Sequence, residues 1–454
     1  MSCQEKPEMF LSSRNVEFDS FSDAVEISVS SNVDWEVKLQ GYADWLTIEP
    51  ESGSRNGSFT ISAKDNPELT TRTAKIAVTG DQVGTDTIHI IQAADFDISG
   101  FFNDPIFRKY CTDNFDENGD GILTAREARM VEEIEVINME ITSLRGIEYF
   151  TELITLTCPR NWIESLDLSK NTKLRYLRCE NNNRLEHLDL SNNVELRTVD
   201  LMYNPLERLN VTGLVHLTTL SIFFSDIEVI DLSTNVALRY LIISGNDKLS
   251  SLDLSHNRDL TTLQCNDNGF TTLVLDNNTE LVSLQCLSNN LRTLDLSKNT
   301  KLLDVNASYN YFTNGINLRD NVALTSFTCV KCELTSLDIS QNRNLDQLHI
   351  NENKLTTLDL SNNSMLATII APSNNFRGSL DLSKININRE VMGQHGPARV
   401  NLKYNFLSNS ELNSIIVPQG FNLRACMNDE ISKPDTAQWC EGGNCVFDPC
   451  AATP

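Results

Sequence analysis

The hydrophobic positions of this chain follow two rhythms. From about Ile134 to Leu407, apolar residues return in a unit that reads LxxLxCxxNxLxxLDLSxNxx. The Leu of its "LD" pair, or an equivalent, stands at Leu166, Leu188, Leu209, Ile230, Leu252, Leu273, Leu294, Ile316, Leu337, Leu358 and Leu380, in steps of 21 or 22 residues. A fixed period of this length predicts a solenoid, because one coil cannot bury its own apolar face and must stack on its neighbours. The unit is itself nearly two-fold, LxxLxCxxN and then LxxLDLSxN, which predicts a short parallel strand on both sides of each coil. Leu177 with Cys179, and Leu263 with Cys265, are expected to point inward. Asn171, Asn204, Asn268, Asn289, Asn310 and Asn353 recur at turns, where an amide can bond main-chain groups left unpaired by the bend. Ser225 and Cys332 each replace one such Asn.

Between Val16 and Ala94 the rhythm is period two. Segments such as "VEISVSS", "DWEVKLQ", "GSFTISA" and "TIHIIQA" alternate apolar and polar residues between Gly, Pro, Asn and Asp. This predicts a small all-β sandwich with Trp35 and Trp45 in its core. Asp34-Trp35, Trp45, Pro50, Gly53, Asn66, Arg72 and Ile91-Gln92 resemble the BACON domain, a family named for suspected carbohydrate binding. That resemblance implies a surface protein of a gut bacterium, with the module acting as a spacer or holding sugar. The repeat unit resembles a leucine-rich repeat. The expected fold class is therefore mainly β: an N-terminal immunoglobulin-like β-sandwich, then a leucine-rich-repeat solenoid with strands on both sides of each coil. The division expected is a tether at 1–15, the sandwich at 16–95, a linker and N-terminal cap at 96–133, the solenoid at 134–407, and a Cys-rich cap at 408–454.

"DENGDGILTARE" interrupts both rhythms and fits the twelve-residue EF-hand loop. Ca²⁺ is a hard cation that takes six to eight oxygens. Asp116, Asn118 and Asp120 would supply side-chain oxygens, Ile122 a carbonyl, Thr124 the ninth position, and Glu127 a closing bidentate carboxylate. The flanks "DPIFRKYCTDNF" and "AREARMVEEIEV" read as helices. The expected cofactor is structural calcium, stiffening the joint between sandwich and repeats.

The second half-repeat carries two uniform outward rows, Asp167 to Asp381 and Ser169 to Ser383, with Asn210, Val274 and Asn317 interrupting the first. A carbohydrate-active enzyme using the Asp row is a remote alternative, because a uniform row has no unique reaction centre. Nucleophile elbow, zinc-protease, phosphate-loop and dinucleotide signatures are absent from the sequence, so no enzyme is expected. The first half-repeat varies instead. Arg175, Tyr176, Arg178, Arg197, Tyr203, Phe223, Phe224, Arg239 and Tyr240 make a patch of residue types favoured as binding anchors. The expected partner there is a protein or a glycan. A glycan-binding accessory lipoprotein of a polysaccharide-capture system is the alternative function.

Charge and cysteine narrow the setting. Lys plus Arg is 37 against 62 Asp plus Glu, a net charge of −25, which repels nucleic acid and an unaided anionic membrane. The start, "MSCQEKPE", resembles a mature lipoprotein, so the membrane is expected only through a lipid on Cys3. This places a monomer on the extracellular face of a bacterial outer membrane. Cys158, Cys179, Cys265, Cys286, Cys329 and Cys332 read as small buried hydrophobes. Cys426, Cys440, Cys445 and Cys450 read as a disulfide-stapled cap with open pairing, a zinc site being the rival. The step from Ile369 to Val400 overshoots the period by about ten residues, an insertion within 384–399.

Overall fold

The computed structural model describes residues 6–385, 399–401, 412–417, 438–441 and 444–445. The chain divides into two compact units, one of 1–132 with 144–152, the other of 133–143 with 153–454.

In the first unit, alternating residues build a four-stranded and a five-stranded sheet that share one core. Ile27, Val29, Phe59 and Ile61 of the smaller sheet meet Trp35, Val37, Ile76, Val78, Ile88 and Ile90 of the larger. The strand Met9–Leu11 pairs with Val29–Ser31, so ordered structure begins inside the segment expected to be a tether. Trp35 and Trp45 are buried as expected. Of the residues that carried the BACON resemblance, Trp35, Trp45, Asn66 and Gln92 are buried, while Asp34, Pro50 and Ile91 are exposed. A Cβ on Gly53 would stand 2.1 Å from the Trp35 ring. Arg72 bonds the Gln92 side chain and the carbonyls of Lys64 and Asp65, and lies over the Trp45 ring.

Helix α1, Pro105–Phe115, starts where Asp104 accepts two backbone N–H groups. Helix α2 is shorter than its sequence suggested, Ala125–Arg129. Its capping box joins Thr124 and Glu127. It stops because Glu133–Glu135 is extended, the first strand of the long sheet.

The second unit is a parallel β-solenoid. Thirteen strands, from Glu133–Glu135 to Arg399–Asn401, pair in register from coil to coil. Ile369 pairs with Val400, so the chain between them spans one coil step. The expectation of a strand on both sides of every coil fails. Among the described residues the second side has strands only at His187–Asp189, Arg208–Asn210, Gly378–Asp381 and Leu412–Val417, the last continued by Gln438–Glu441. Elsewhere the "LDLS" segment is a turn. Asp167, Asp231, Asp253, Asp295, Asp338 and Asp359 each accept the N–H of the Ser two residues on, at 2.9 Å, and Asp189 does so at the end of its strand. The carboxylate thus takes an amide that a neighbouring strand would otherwise bind. Asn210 and Asn317 do the same for Thr212 and Arg319, so they continue the row that they seemed to interrupt.

The turn asparagines form two ladders rather than one. In the first, Asn182, Asn204, Asn289, Asn310 and Asn353 donate to the carbonyl three residues back and to one in the preceding coil. Asn171 belongs to the second, with Asn193, Asn235, Asn257, Asn278, Asn299, Asn321, Asn342 and Asn363. Cys158, Cys179, Cys265 and Cys286 are buried thiols as expected. Cys329 and Cys332 are instead joined as a disulfide. The reason is local: in a normal coil the Asn amide lies 3.4 Å from the Cys sulfur three residues earlier, as Asn182 does from Cys179, so a Cys at the Asn place meets that sulfur.

Cys3, Cys426, Cys450 and residues 386–398 lie outside the described residues. Cys440 and Cys445 face each other across an antiparallel backbone pair. No helix among the described residues is long and apolar enough to cross a membrane.

Candidate ligand-binding face

In-register pairing sorts the outward positions of the long sheet into columns. Tyr176, Thr198, Thr219, Tyr240 and Thr262 share one column, and Arg178, Asp200, Ser221, Ile242 and Gln264 the next. Arg175, Arg197, Thr218 and Arg239 stand just before their strands, and the N–H of each of the last three bonds at 2.9 Å to the carbonyl of the one before. After the strands, every coil turns through a residue with positive φ, among them Asn181, Tyr203, Phe224, Gly245, Asp267, Ser288 and Tyr309.

This left-handed turn costs a side-chain-bearing residue about 1–2 kcal/mol, least for Asn and Asp. Tyr203 at φ 58° and Phe224 at φ 54° are therefore expensive choices. Their rings gather with that of Phe223, with centroids 5.3 Å apart for Tyr203–Phe223, 5.6 Å for Tyr203–Phe224 and 4.3 Å for Phe223–Phe224. Tyr203 is 44% exposed and Phe224 55%, while Phe223 is half-buried. The next coil makes room for them: a Cβ on Gly245 would stand 2.8 Å from the Phe224 ring.

The patch read from the sequence thus resolves into parts. Tyr203, Phe223 and Phe224 form a ring cluster. Arg178 pairs with Glu180 at 2.6 Å. Arg175, Arg197 and Arg239 form a column. Tyr176 and Tyr240 are exposed but three strand steps apart, about 14 Å at ~4.8 Å per step, so the two are not neighbours. Two residues on this face were missed as site residues. Only 14% of the Glu180 side chain is exposed, and its second oxygen has no hydrogen-bond partner. Burial pushes the Asp200 carboxyl up, and the charge of Glu180 adds to this, against the Met202 N–H and Arg178. The signal for Asp200 was an acid in a column where the next coils carry Ser221, Ile242 and Gln264.

The loop expected to hold calcium is wound by its own side chains. Asp116 accepts the N–H groups of Gly119 and Gly121, Asn118 that of Asp120, and Asp120 that of Ile122. Glu127 accepts the N–H of Glu117 with one oxygen and the N–H and hydroxyl of Thr124 with the other. The oxygen types suit a hard cation. Among the described residues, however, no group of three or more His, Cys, Asp or Glu side chains is gathered so that it could hold a metal. The Asp row is committed to its turns, and the chain carries no enzymatic signature.

Two comparisons now bear on this geometry. A family model described as the viral BACON domain matches residues 8–95. Residues 8–95 form a BACON-like domain. The chain is similar to the functional domain of InlJ from Listeria monocytogenes, described as including a cysteine ladder, at 27% identity and a TM-score of 0.57, covering 72% of this chain and 76% of that one. It is also similar to an internalin, InlF, from the same organism, at 19% identity and a TM-score of 0.54, covering 72% and 92%, a likeness that shows the fold alone. No curated protein matches the chain. The solenoid of this chain stacks Cys158 on Cys179 and Cys265 on Cys286, both pairs fully buried.

Proposed function

We propose that this chain is a non-enzymatic cell-surface protein that binds a protein ligand on the outward face of its long sheet, at Tyr203, Phe223 and Phe224. The carrying observation is that three rings from neighbouring coils gather on this face, with Tyr203 and Phe224 set at left-handed turn positions and both exposed. A Tyr203→Ala/Phe224→Ala double variant tests it. The partner that wild-type protein captures from bacterial or host extracts is lost with the variant, whose circular dichroism is unchanged. Equal capture by both proteins refutes the site. The alternative, a glycan-binding accessory protein, draws support from the same two rings, tilted by only 32° to each other. Glycan-array binding that requires both rings would select it.

The buried Trp35 and Trp45 offer a sugar no platform, which supports a spacer role for the BACON-like domain. We further propose a lipid on Cys3, placing the chain on the outer face of an outer membrane. Radiolabelled palmitate incorporation that is unchanged by Cys3→Ala would refute this. Calcium is proposed to bind Asp116, Asn118, Asp120, the Ile122 carbonyl and Glu127, with Thr124 at the ninth position. Its role would be to stiffen the loop. Chelator should lower the melting temperature of wild type and leave Asp116→Ala unmoved; an unmoved wild type sinks the assignment.

A further inference from the structure

We propose that the column Arg175, Arg197 and Arg239 receives carboxylate side chains of the protein partner, an inference that rests on the binding face proposed above. Arg14, Arg126, Arg129, Arg178 and Arg184 pair with carboxylates, while Arg55, Arg108, Arg160, Arg208, Arg258, Arg292, Arg319 and Arg343 are exposed without such a pair among the described residues, so it is the shared column that sets Arg175, Arg197 and Arg239 apart. Arg175, Arg197 and Arg239 are exposed and form no ion pair with any described residue. Glu180 is engaged by Arg178, and Asp200 by the Met202 N–H.

The backbone fixes the column. Arg175 and Arg197 are one coil step apart, Arg197 and Arg239 two. The Arg175 and Arg197 backbones thus lie ~4.8 Å apart, which sets two guanidinium groups side by side on one face. Between Arg197 and Arg239 stands Thr218, whose hydroxyl turns back to the Arg197 carbonyl at 3.0 Å and keeps that step low. A planar guanidinium binds a carboxylate through two parallel hydrogen bonds, which an ammonium cannot copy. The charge of −25 opposes an acidic partner at long range, but physiological salt screens charges beyond about 8 Å. Contact at the column therefore decides. The fitting occupant is an acidic protein segment with an apolar residue for the ring cluster, on a partner of modest net charge.

The test uses the full chain and three probes in ordinary and low salt: a decapeptide of alternating Glu and Ser ending in Phe, its Gln counterpart, and an oligogalacturonate of matched charge. The Glu peptide should bind more tightly than the Gln peptide. Arg197→Ala with Arg239→Ala should weaken it roughly tenfold, and the paired Lys variants should recover only part of the loss. Undetectable Glu-peptide binding at low salt, equal binding of the Gln peptide, an unaffected double variant, or binding of the oligogalacturonate alone would each overturn the proposal. Tyr203→Ala/Phe224→Ala separates the two readings. If it abolishes capture of the natural partner while the Arg variants do not, the binding face stands and the carboxylate assignment falls.

Discussion

Asn277 and Asn278 are adjacent, identical in chemistry and opposite in role. Asn278 is buried, and its amide donates to the Leu254 carbonyl at 3.0 Å and the Asn257 carbonyl at 2.8 Å. Asn277 is exposed. In Asn278→Ala both carbonyls lose their side-chain donor inside the coil stack, where water cannot replace it. Each carbonyl keeps a backbone donor, the Asn257 N–H on Leu254 and the Leu260 N–H on Asn257, so what is lost is two buried hydrogen bonds at about 0.5–1.5 kcal/mol each. Against this, the Asn278 Oδ1 has no partner, and its removal returns part of that sum. The net expectation is a loss of about 1–2 kcal/mol for Asn278→Ala. Asn277→Ala should change stability by less than about 0.5 kcal/mol. Because each coil is stabilised by its neighbours, the loss should also weaken coupling across that point. Urea unfolding followed by far-ultraviolet circular dichroism measures both variants. Coincident midpoints would refute the ladder as an energetic element.

Further outcomes follow from the same geometry. Hydrogen bonds from the Ser N–H and hydroxyl hold Asp167, Asp189, Asp253, Asp295, Asp338 and Asp359 below their ordinary value of 3.8. A depressed folded-state value gives stability that is present above the unfolded value and lost as pH falls through the folded one. Acid titration should therefore destabilise the solenoid below about pH 4, and Asp→Asn at several of these sites should flatten that loss; an unchanged slope would contradict the capping role. Asp200 has the opposite sign, its raised value costing stability as pH rises, so Asp200→Asn should relieve a penalty at neutral pH, read as a higher melting temperature. Gly53→Ala should cost several kcal/mol or prevent folding of the BACON-like domain, because its Cβ would enter the Trp35 ring; a melting curve like that of wild type refutes the contact. Cys332→Asn should restore the ladder amide and make stability insensitive to reductant; a variant that still responds to reductant would place the sensitivity elsewhere.

Much of this architecture could be read from repetition. The inward Leu and Cys, the solenoid and the β-rich N-terminal domain follow from periods that local sterics and burial impose on any chain with this pattern. The Cys329–Cys332 disulfide was not read from the sequence, which took both as buried thiols; it depends on the turn amide lying beside the Cys sulfur, as Asn182 does beside Cys179. The ring cluster was visible only as a loose list. Nothing in the sequence says that Tyr203 and Phe224 take left-handed turns, or that Gly245, one coil later, leaves their space open. The Asp row shows the same limit. Its regularity is plain in the sequence, but whether a carboxylate faces solvent, a reaction or its own backbone depends on the local bend, and here it closes a turn two residues long. The sequence by itself determined the period and the core, because burial acts on every repeat alike. Only the tertiary structure decided which outward residues meet, because stacking joins positions a full coil apart and leaves three arginines together without an acid.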